Sequence, residues 1–129
     1  MATDFVTLFN FERCKELLAG NGTAQEKELA IFDECHSEDF IYLDYWACYV
    51  EVFDGTDPPE SISGKQLLPE LQEEIFVLLL PQHVDLMLLS LKQHENELVV
   101  MADDRIAKLE TWRDLCVSDK RFLVAYHFD

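Results

Sequence analysis

The longest apolar stretch of the chain, Ile75 to Leu91, is interrupted at its centre by Pro81 and by three polar residues that follow it closely. A membrane-spanning helix needs about 20 consecutive apolar residues, and polar groups are costly in hydrocarbon. No basic flank is present to orient a span. The stretch is therefore predicted to form the buried centre of a domain that does not cross a membrane.

Pro81 divides this stretch into two predicted helices, because proline ends or kinks a helix that it interrupts. The first helix would start near Pro69, which suits a first helical position. The second is predicted from Pro81 to about Lys92. The apolar stripe of the first helix would comprise Leu71, Ile75, Leu78 and Leu79.

Three further helices are predicted from apolar spacing and end signals. The first runs from about Asp4 to Ala19 and stops at Gly20-Asn21-Gly22. The second follows Thr23 and Glu26, which have the spacing of a capping box, and reaches about Cys35. The last starts with Asp103 as its N-cap. Its inward residues would be Ile106, Leu109, Trp112 and Cys116.

The segment 38–53 has conflicting signals. Its aromatic and β-branched residues favour a strand. However, Asp44 and Glu51 are seven residues apart, which places both on one polar stripe of a helix, and 16 residues would be long for a strand. A helix is preferred here, with the strand left open as the alternative.

Short strands are predicted at Leu98–Met101 and at the C-terminus, where Phe122, Val124, Tyr126 and Phe128 alternate. Residues 54–64 contain glycines and prolines typical of a surface loop. The predicted fold class is mainly α, or α+β: a compact bundle of about five or six helices with one or two short strands, including a C-terminal strand. With 129 residues, 49% of them hydrophobic, the chain is predicted to be a single acidic globular domain spanning residues 1–129.

The charge is strongly negative, with 26 acidic and 10 basic residues and a net charge of −16. Between Lys27 and Lys65 there are ten acidic residues and no basic one. A negatively charged surface speeds association with a positively charged partner and repels nucleic acid, whose phosphates are also negative. The predicted partner is therefore a basic protein, with no direct binding to nucleic acid. The alternative is that these carboxylates only keep the domain soluble.

Within this interval aromatic residues alternate with acidic ones, a composition that suits interface anchors. Aromatic residues at helical spacing are also common in cores, and Trp46 is expected to be mostly buried. The residues predicted to contact the partner are Asp39, Asp44, Tyr45, Tyr49, Glu51, Asp54, Asp57 and Glu60.

No pattern of catalytic or cofactor-binding residues is found. Cys35 and His36 are of the right types for a thiol nucleophile or a zinc site, but adjacent residues on a helix point about 100° apart. Asp44 and Glu51 are one of many carboxylate pairs, with nothing to single them out. Nucleotide-binding glycine motifs are absent from the sequence. The chain is predicted not to be an enzyme and to need no cofactor and no metal.

The four cysteines have neither metal-site nor disulfide-framework spacing, and the N-terminus lacks the order of a signal peptide, so a cytoplasmic location is expected. In composition the chain resembles the immunity proteins of bacterial toxin systems. That resemblance implies an antitoxin, a monomer or homodimer, that occludes the cationic cleft of a nuclease-like toxin. An acidic secretion chaperone for an effector and a phage or viral DNA mimic remain alternatives.

Overall fold

The computed structural model describes residues 4–43, 52–53, 58–70, 76–93 and 102–128. Within those ranges, five strands and five helices have defined limits. In chain order they are β1 (Asp4–Asn10), α1 (Phe11–Ala19), α2 (Ala24–Cys35), β2 (His36–Leu43), β3 (Ile62–Ser63), α3 (Gly64–Leu67), β4 (Phe76–Leu79), α4 (Pro81–Gln93), α5 (Ala102–Ser118) and β5 (Phe122–His127).

The five strands form one antiparallel sheet in the order β2-β1-β5-β4-β3. Its centre is the pair formed by the first and the last strand, in which Val6 lies opposite Tyr126 and Asn10 lies opposite Phe122. Helices α1 and α2 connect β1 to its neighbour β2, and helices α4 and α5 lie between β4 and its neighbour β5 in the chain.

One face of the sheet packs against α4 and α5, and we call it the α4/α5 face. Its core joins alternate residues of the strands to the inward sides of the two helices. The buried members include Val6, Val77, Leu79, Val84, Met87, Leu109, Trp112, Val124 and Tyr126. Burial of this apolar area supplies most of the favourable free energy of this half of the molecule.

The opposite face packs against α1, α2 and α3, and we call it the α1/α2 face. Its core contains Phe9, Cys14, Ile31, Cys35, Leu68, Phe76, Leu78, Leu123 and Ala125. The central strands are thus covered on both sides, and four consecutive residues of β4 are all buried.

The predicted fold class is wrong: the protein is α+β, with a five-stranded antiparallel sheet, and is not a helical bundle with one or two short strands. The physical reason is burial on both faces of the sheet. A strand covered on both sides is apolar without alternation, and such a run does not differ from a buried helix in its sequence pattern. The run Phe76–Leu79, predicted as part of a helix, is strand β4.

The predicted first helix is also half wrong, since residues 4–10 form strand β1 and only Phe11–Ala19 are helical. The Asn10 side chain accepts a hydrogen bond from the Arg13 backbone N–H at 3.0 Å and so starts α1 at Phe11. The apolar spacing of the segment is compatible with both structures, and the N-cap at Asn10 decides between them.

Three helices are confirmed. Helix α2 begins after Thr23, whose hydroxyl accepts a hydrogen bond from the Glu26 N–H at 3.1 Å. Helix α4 begins at Pro81, where a missing N–H costs nothing. Helix α5 starts at Ala102, so that Asp103 lies inside its first turn and is not its N-cap. The four predicted inward residues of α5 are all buried.

In segment 38–53 the preferred helix is wrong for residues 38–43, which belong to β2, whereas Val52 and Phe53 are helical. Residues 44–51 lie outside the described part of the chain, as does the predicted strand Leu98–Met101. The predicted C-terminal strand is confirmed as β5, although it lies at the centre of the sheet. Among the described helices, none combines the length and the apolarity needed to cross a membrane.

Candidate functional site

Two of the eight residues predicted to contact a partner, Asp39 and Glu60, lie in the described part of the chain. Asp39 is in β2, at one edge of the described sheet, and Glu60 precedes β3, at the other edge. Four inter-strand spacings of about 4.8 Å put these edges roughly 19 Å apart. The two carboxylates therefore do not share one patch. The remaining six, Asp44, Tyr45, Tyr49, Glu51, Asp54 and Asp57, lie outside the described residues.

Asp39 lies in a bulge of β2. The pairs Thr7–Phe40 and Phe9–His36 leave three residues of β2 opposite the single residue Leu8. The Ser37 hydroxyl accepts a hydrogen bond from the Leu8 N–H at 3.0 Å and donates one to the Asp39 carbonyl. A side chain thus replaces a bond of the strand ladder and fixes the bulge.

The Asp39 carboxylate is held on the α4/α5 face of the sheet by helix α5. Its Oδ2 lies 3.0 Å from the Lys108 ammonium nitrogen. Asp39 therefore already has a cationic neighbour within the chain, and its charge is partly neutralised there.

Glu60 has a left-handed backbone, with φ of 71°, in the turn before β3. Helix α4 holds this turn, because the His83 Nδ1 accepts from the Leu80 N–H while its Nε2 donates to the Pro59 carbonyl at 2.8 Å. Gln82 adds a weak hydrogen bond to the Glu60 carboxylate at 3.4 Å. The carboxylate is exposed at the end of a fixed turn.

Three aromatic rings cluster on the α1/α2 face beside the bulge. We call Phe5, Phe40 and Tyr42 the aromatic patch. The Phe40 and Tyr42 rings meet edge to face at 4.8 Å, and Phe5 lies 6.0 and 6.3 Å from them. Phe40 is 45% exposed and Tyr42 is 48% exposed. Large apolar side chains exposed together, rather than singly, are typical of binding surfaces.

The residues predicted from the sequence to contact the partner include none of Phe5, Phe40 and Tyr42. In β2 the rings of residues 40 and 42 are on one face because strand residues alternate. Had the strand alternative been preferred for this segment, the spacing of two would have identified the pair. Phe5 could not be found locally, since it reaches the patch only through the pairing of β1 with β2.

Of the two carboxylates that precede the exposed rings of β2, Asp39 pairs with Lys108, and Glu38 is the one at the alternate position that shares a face with Phe40. It is exposed at the bulge, two residues before Phe40. Residues separated by two in a strand are about 7 Å apart, which is within the reach of a glutamate side chain. Among the residues that the structure describes, Glu38 has no ion-pair partner.

A buried polar group lies next to the aromatic patch. The Thr7 hydroxyl is 3.0 Å from His36 Nδ1 and 3.0 Å from His127 Nε2, and the two imidazole rings are 4.6 Å apart. One ring nitrogen donates to the hydroxyl, which donates to the other ring. The His127 ring also stacks on Phe5 at 4.4 Å, so Phe5 connects the aromatic patch to this hydrogen-bonded group.

Both histidines are held neutral by their surroundings. Burial lowers the pKa of His36 to about 4. Burial, with a smaller contribution from His36, lowers the pKa of His127 to about 3. Desolvation disfavours the charged imidazolium, and neither ring has a carboxylate among its described contacts. These imidazoles act as uncharged hydrogen-bonding groups near neutral pH.

Two depressions lie elsewhere on the described surface. The first, between α2 and α3, has a volume of only about 10 Å³, which is about the room of one water molecule. The second is an open groove of about 320 Å³ between α4 and α5. Its walls carry intrahelical and interhelical ion pairs, including Arg113 with Asp85 at 2.7 Å and Lys92 with Glu110 at 3.6 Å.

The three described cysteines, Cys14, Cys35 and Cys116, are free and buried. A hydrogen bond with Cys14, together with burial, raises the pKa of Cys35. Burial raises the pKa of Cys116 to about 11. Cys35, considered as a nucleophile from its type, is thus a protonated core thiol that faces Cys14, whereas the adjacent His36 faces Thr7.

No cluster of three or more His, Cys, Asp or Glu side chains suited to a metal ion occurs among the described residues. Comparison of the chain with protein-family models, with curated proteins and with solved structures finds no significant match.

Proposed function

We propose that this chain is a binding protein that neutralises a basic protein partner in the cytoplasm. The specific form of the proposal is an immunity protein or antitoxin that inhibits a nuclease-like bacterial toxin by covering its cationic active-site cleft. The chain acts by occupying a surface and carries out no reaction of its own.

The observation that carries the proposal is the aromatic patch, in which Phe40 and Tyr42 are exposed and Glu38 precedes Phe40 by two residues, in a chain with a net charge of −16. Aromatic side chains are preferred anchors at interface centres. Carboxylates around such anchors steer a cationic partner toward them.

The basic residues of the chain support the proposal, because most of those described are already engaged with acidic groups. Such internal pairs leave the excess of carboxylates available for an external partner. The basic residues in described ion pairs are Arg13, Lys15, Lys92, Lys108, Arg113 and Arg121.

The test of the immunity function uses the gene next to the one that encodes this chain. Expression of that neighbour alone should stop growth, and co-expression of this chain should restore it. The two purified proteins should form a complex that has lost the toxic activity. A harmless neighbour, or a toxic one that this chain neither binds nor inhibits, would contradict the proposal.

The contribution of charge is tested with Glu38→Lys in the same complex. We expect the association rate constant at low salt to fall by about two- to fivefold, with a weaker dependence on salt concentration. Glu70→Lys is the matched control, because Glu70 is exposed and follows α3, outside β1 and β2. Equal effects of both variants would show that only net charge matters and that the patch is not the contact.

Binding assays with the purified proteins also distinguish an immunity protein from a secretion chaperone and from a DNA mimic. A secretion chaperone would bind an extended N-terminal segment of its client and leave a folded toxic domain active. A DNA mimic would compete with duplex DNA for several unrelated basic proteins, whereas an immunity protein is specific for one.

A further inference from the structure

The chain repeatedly binds its own cations with a carboxylate and an aromatic ring together. Lys108 shows the arrangement: its nitrogen lies 3.0 Å from the Asp39 carboxylate and 5.8 Å from the centre of the Trp112 ring. The carboxylate supplies a charge and the ring supplies a face of negative potential. The two contacts together fix one cation.

Arg121 repeats this arrangement with a guanidinium group. It pairs with Asp119 at 2.7 Å and lies 5.6 Å from the centre of the Phe122 ring. In all three cation–ring contacts of the described residues, the cation also forms an ion pair. The third set is Lys15 with Glu12 at 3.3 Å and with the Phe11 ring at 5.2 Å.

The exposed surface of β2 has the same two components without a cation. Glu38 provides a carboxylate without an ion pair among the described residues, and Phe40 and Tyr42 provide two exposed rings, two and four residues further along β2. None of the ion pairs or cation–ring contacts among the described residues joins a Lys or Arg to these three side chains.

We propose that Glu38, Phe40 and Tyr42 bind an arginine side chain of the partner. This inference rests on the proposed function and names the group that the surface recognises. The Glu38 carboxylate accepts hydrogen bonds from the guanidinium, while the plane of the guanidinium lies on the ring of Phe40 or Tyr42.

Arginine fits this surface better than lysine for two reasons. The guanidinium is planar and stacks on an aromatic ring, and its fork of N–H groups matches a carboxylate with two parallel hydrogen bonds. The lysine ammonium is more strongly hydrated and has no plane to stack. A surface that combines an acid with two rings therefore discriminates between the two cations.

The experiment measures binding of two synthetic peptides to the full chain by calorimetry at low salt. One peptide alternates arginine with threonine, and the other has lysine in place of every arginine. We expect the arginine peptide to bind about five- to tenfold more tightly. In the double variant Glu38→Gln/Tyr42→Leu, the two dissociation constants should become nearly equal.

The matched control is Glu70→Gln/Leu89→Ala, which removes a carboxylate and an exposed apolar side chain on other parts of the surface. It should keep the preference for arginine. Urea unfolding of both variants verifies that they are folded.

Equal binding of both peptides by the unmodified chain would overturn the arginine site and leave charge-driven binding of basic proteins intact. A preference that survives in the Glu38→Gln/Tyr42→Leu variant would overturn the assignment to this surface. Absence of binding by either peptide would also overturn the arginine site, whereas the proposed function fails only if the neighbouring toxin is neither bound nor inhibited.

Discussion

The α4/α5 face of the sheet is packed almost entirely from apolar side chains, whereas the α1/α2 face combines an apolar core with buried histidines and exposed rings. On the first face the main polar group of the strands is the Tyr126 hydroxyl, which donates to Asp4 at 2.6 Å. On the second, Thr7 and two imidazoles share hydrogen bonds beside the aromatic patch.

This difference separates two roles of one sheet. Apolar packing stabilises a fold without needing particular partners, while buried polar groups stabilise it only when each one is satisfied. The α1/α2 face contains buried polar groups that must each be hydrogen-bonded, and its Phe40 and Tyr42 side chains are exposed. We infer that the α4/α5 face provides most of the stability, and the α1/α2 face presents the surface proposed to bind a partner.

The largest expected loss of stability comes from a substitution that creates a cavity in the core of the α4/α5 face. Leu109 is fully buried in its core, and Leu109→Ala should lower the free energy of unfolding by about 3.5 kcal/mol. Urea denaturation measures this loss. Leu89→Ala, at a 56% exposed position on α4, is the control and should change stability by less than about 0.5 kcal/mol. Similar losses in both variants would contradict the assigned core.

Acid should act mainly on the α1/α2 face. Because the pKa values of His36 and His127 are about 4 and 3 in the folded protein, against 6.5 for unperturbed histidine, the unfolded chain binds more protons below pH 6.5. Stability is therefore complete above pH 6.5 and decreases as the pH falls toward 4. Between pH 7 and pH 5.5 the loss should be about 2.5 kcal/mol.

The variant that isolates this acid sensitivity is His36→Gln/His127→Gln, in which the amides retain hydrogen-bonding capacity without a titrating imidazole. Its free energy of unfolding should change little between pH 7 and pH 5.5. If the variant and the unmodified chain lose the same stability in that interval, the carboxylates and not the histidines cause the acid sensitivity.

A smaller effect is expected from Thr7→Val, which preserves shape and removes the hydroxyl between the two imidazoles. Leaving buried ring nitrogens without their partner should cost about 2 kcal/mol at pH 7, as measured by urea denaturation. Thr111→Val provides the comparison, because the Thr111 hydroxyl bonds only to a helix carbonyl and is exposed. A loss at Thr7 no greater than that at Thr111 would remove the structural role of the shared hydroxyl.

The smallest effect on stability should come from the exposed rings. Phe40→Ala and Tyr42→Ala each remove one edge-to-face contact and should cost about 1 kcal/mol or less. In the same variants the affinity for the proposed basic partner should fall at least tenfold, because truncation of interface anchors costs about 2 kcal/mol or more. A variant that loses stability but keeps its affinity would place Phe40 or Tyr42 in the fold rather than in the interface.

The parts of the fold that the sequence predicts correctly are those with local signals. Thr23 followed by Glu26 marks the start of α2, Pro81 marks the start of α4, and the spacing from Ile106 to Cys116 identifies the buried side of α5. Each signal lies inside the helix that it specifies or directly before its first residue. Hence these three helices could be predicted without knowledge of the sheet.

The strands were harder to predict because their pairing joins distant residues. Val6 pairs with Tyr126 of β5 and is buried in the core of the α4/α5 face, and nothing within ten residues of it indicates that pairing. The candidate site shows the same limit. The acidic charge of the region was evident from the sequence, but the grouping of Phe5 with Phe40 depends on the antiparallel register of β1 and β2.

The central position of the β1–β5 pair has a consequence for biosynthesis. Phe5 lies opposite His127, so the middle of the sheet joins residues that leave the ribosome at the start and near the end of the described chain. Such distant contacts form slowly, because the loop-closure entropy is lost before the contact energy is gained. While β5 is still unsynthesised, β1 lacks one of its two neighbours, and the nascent chain must keep Val6 and Phe9 from aggregating.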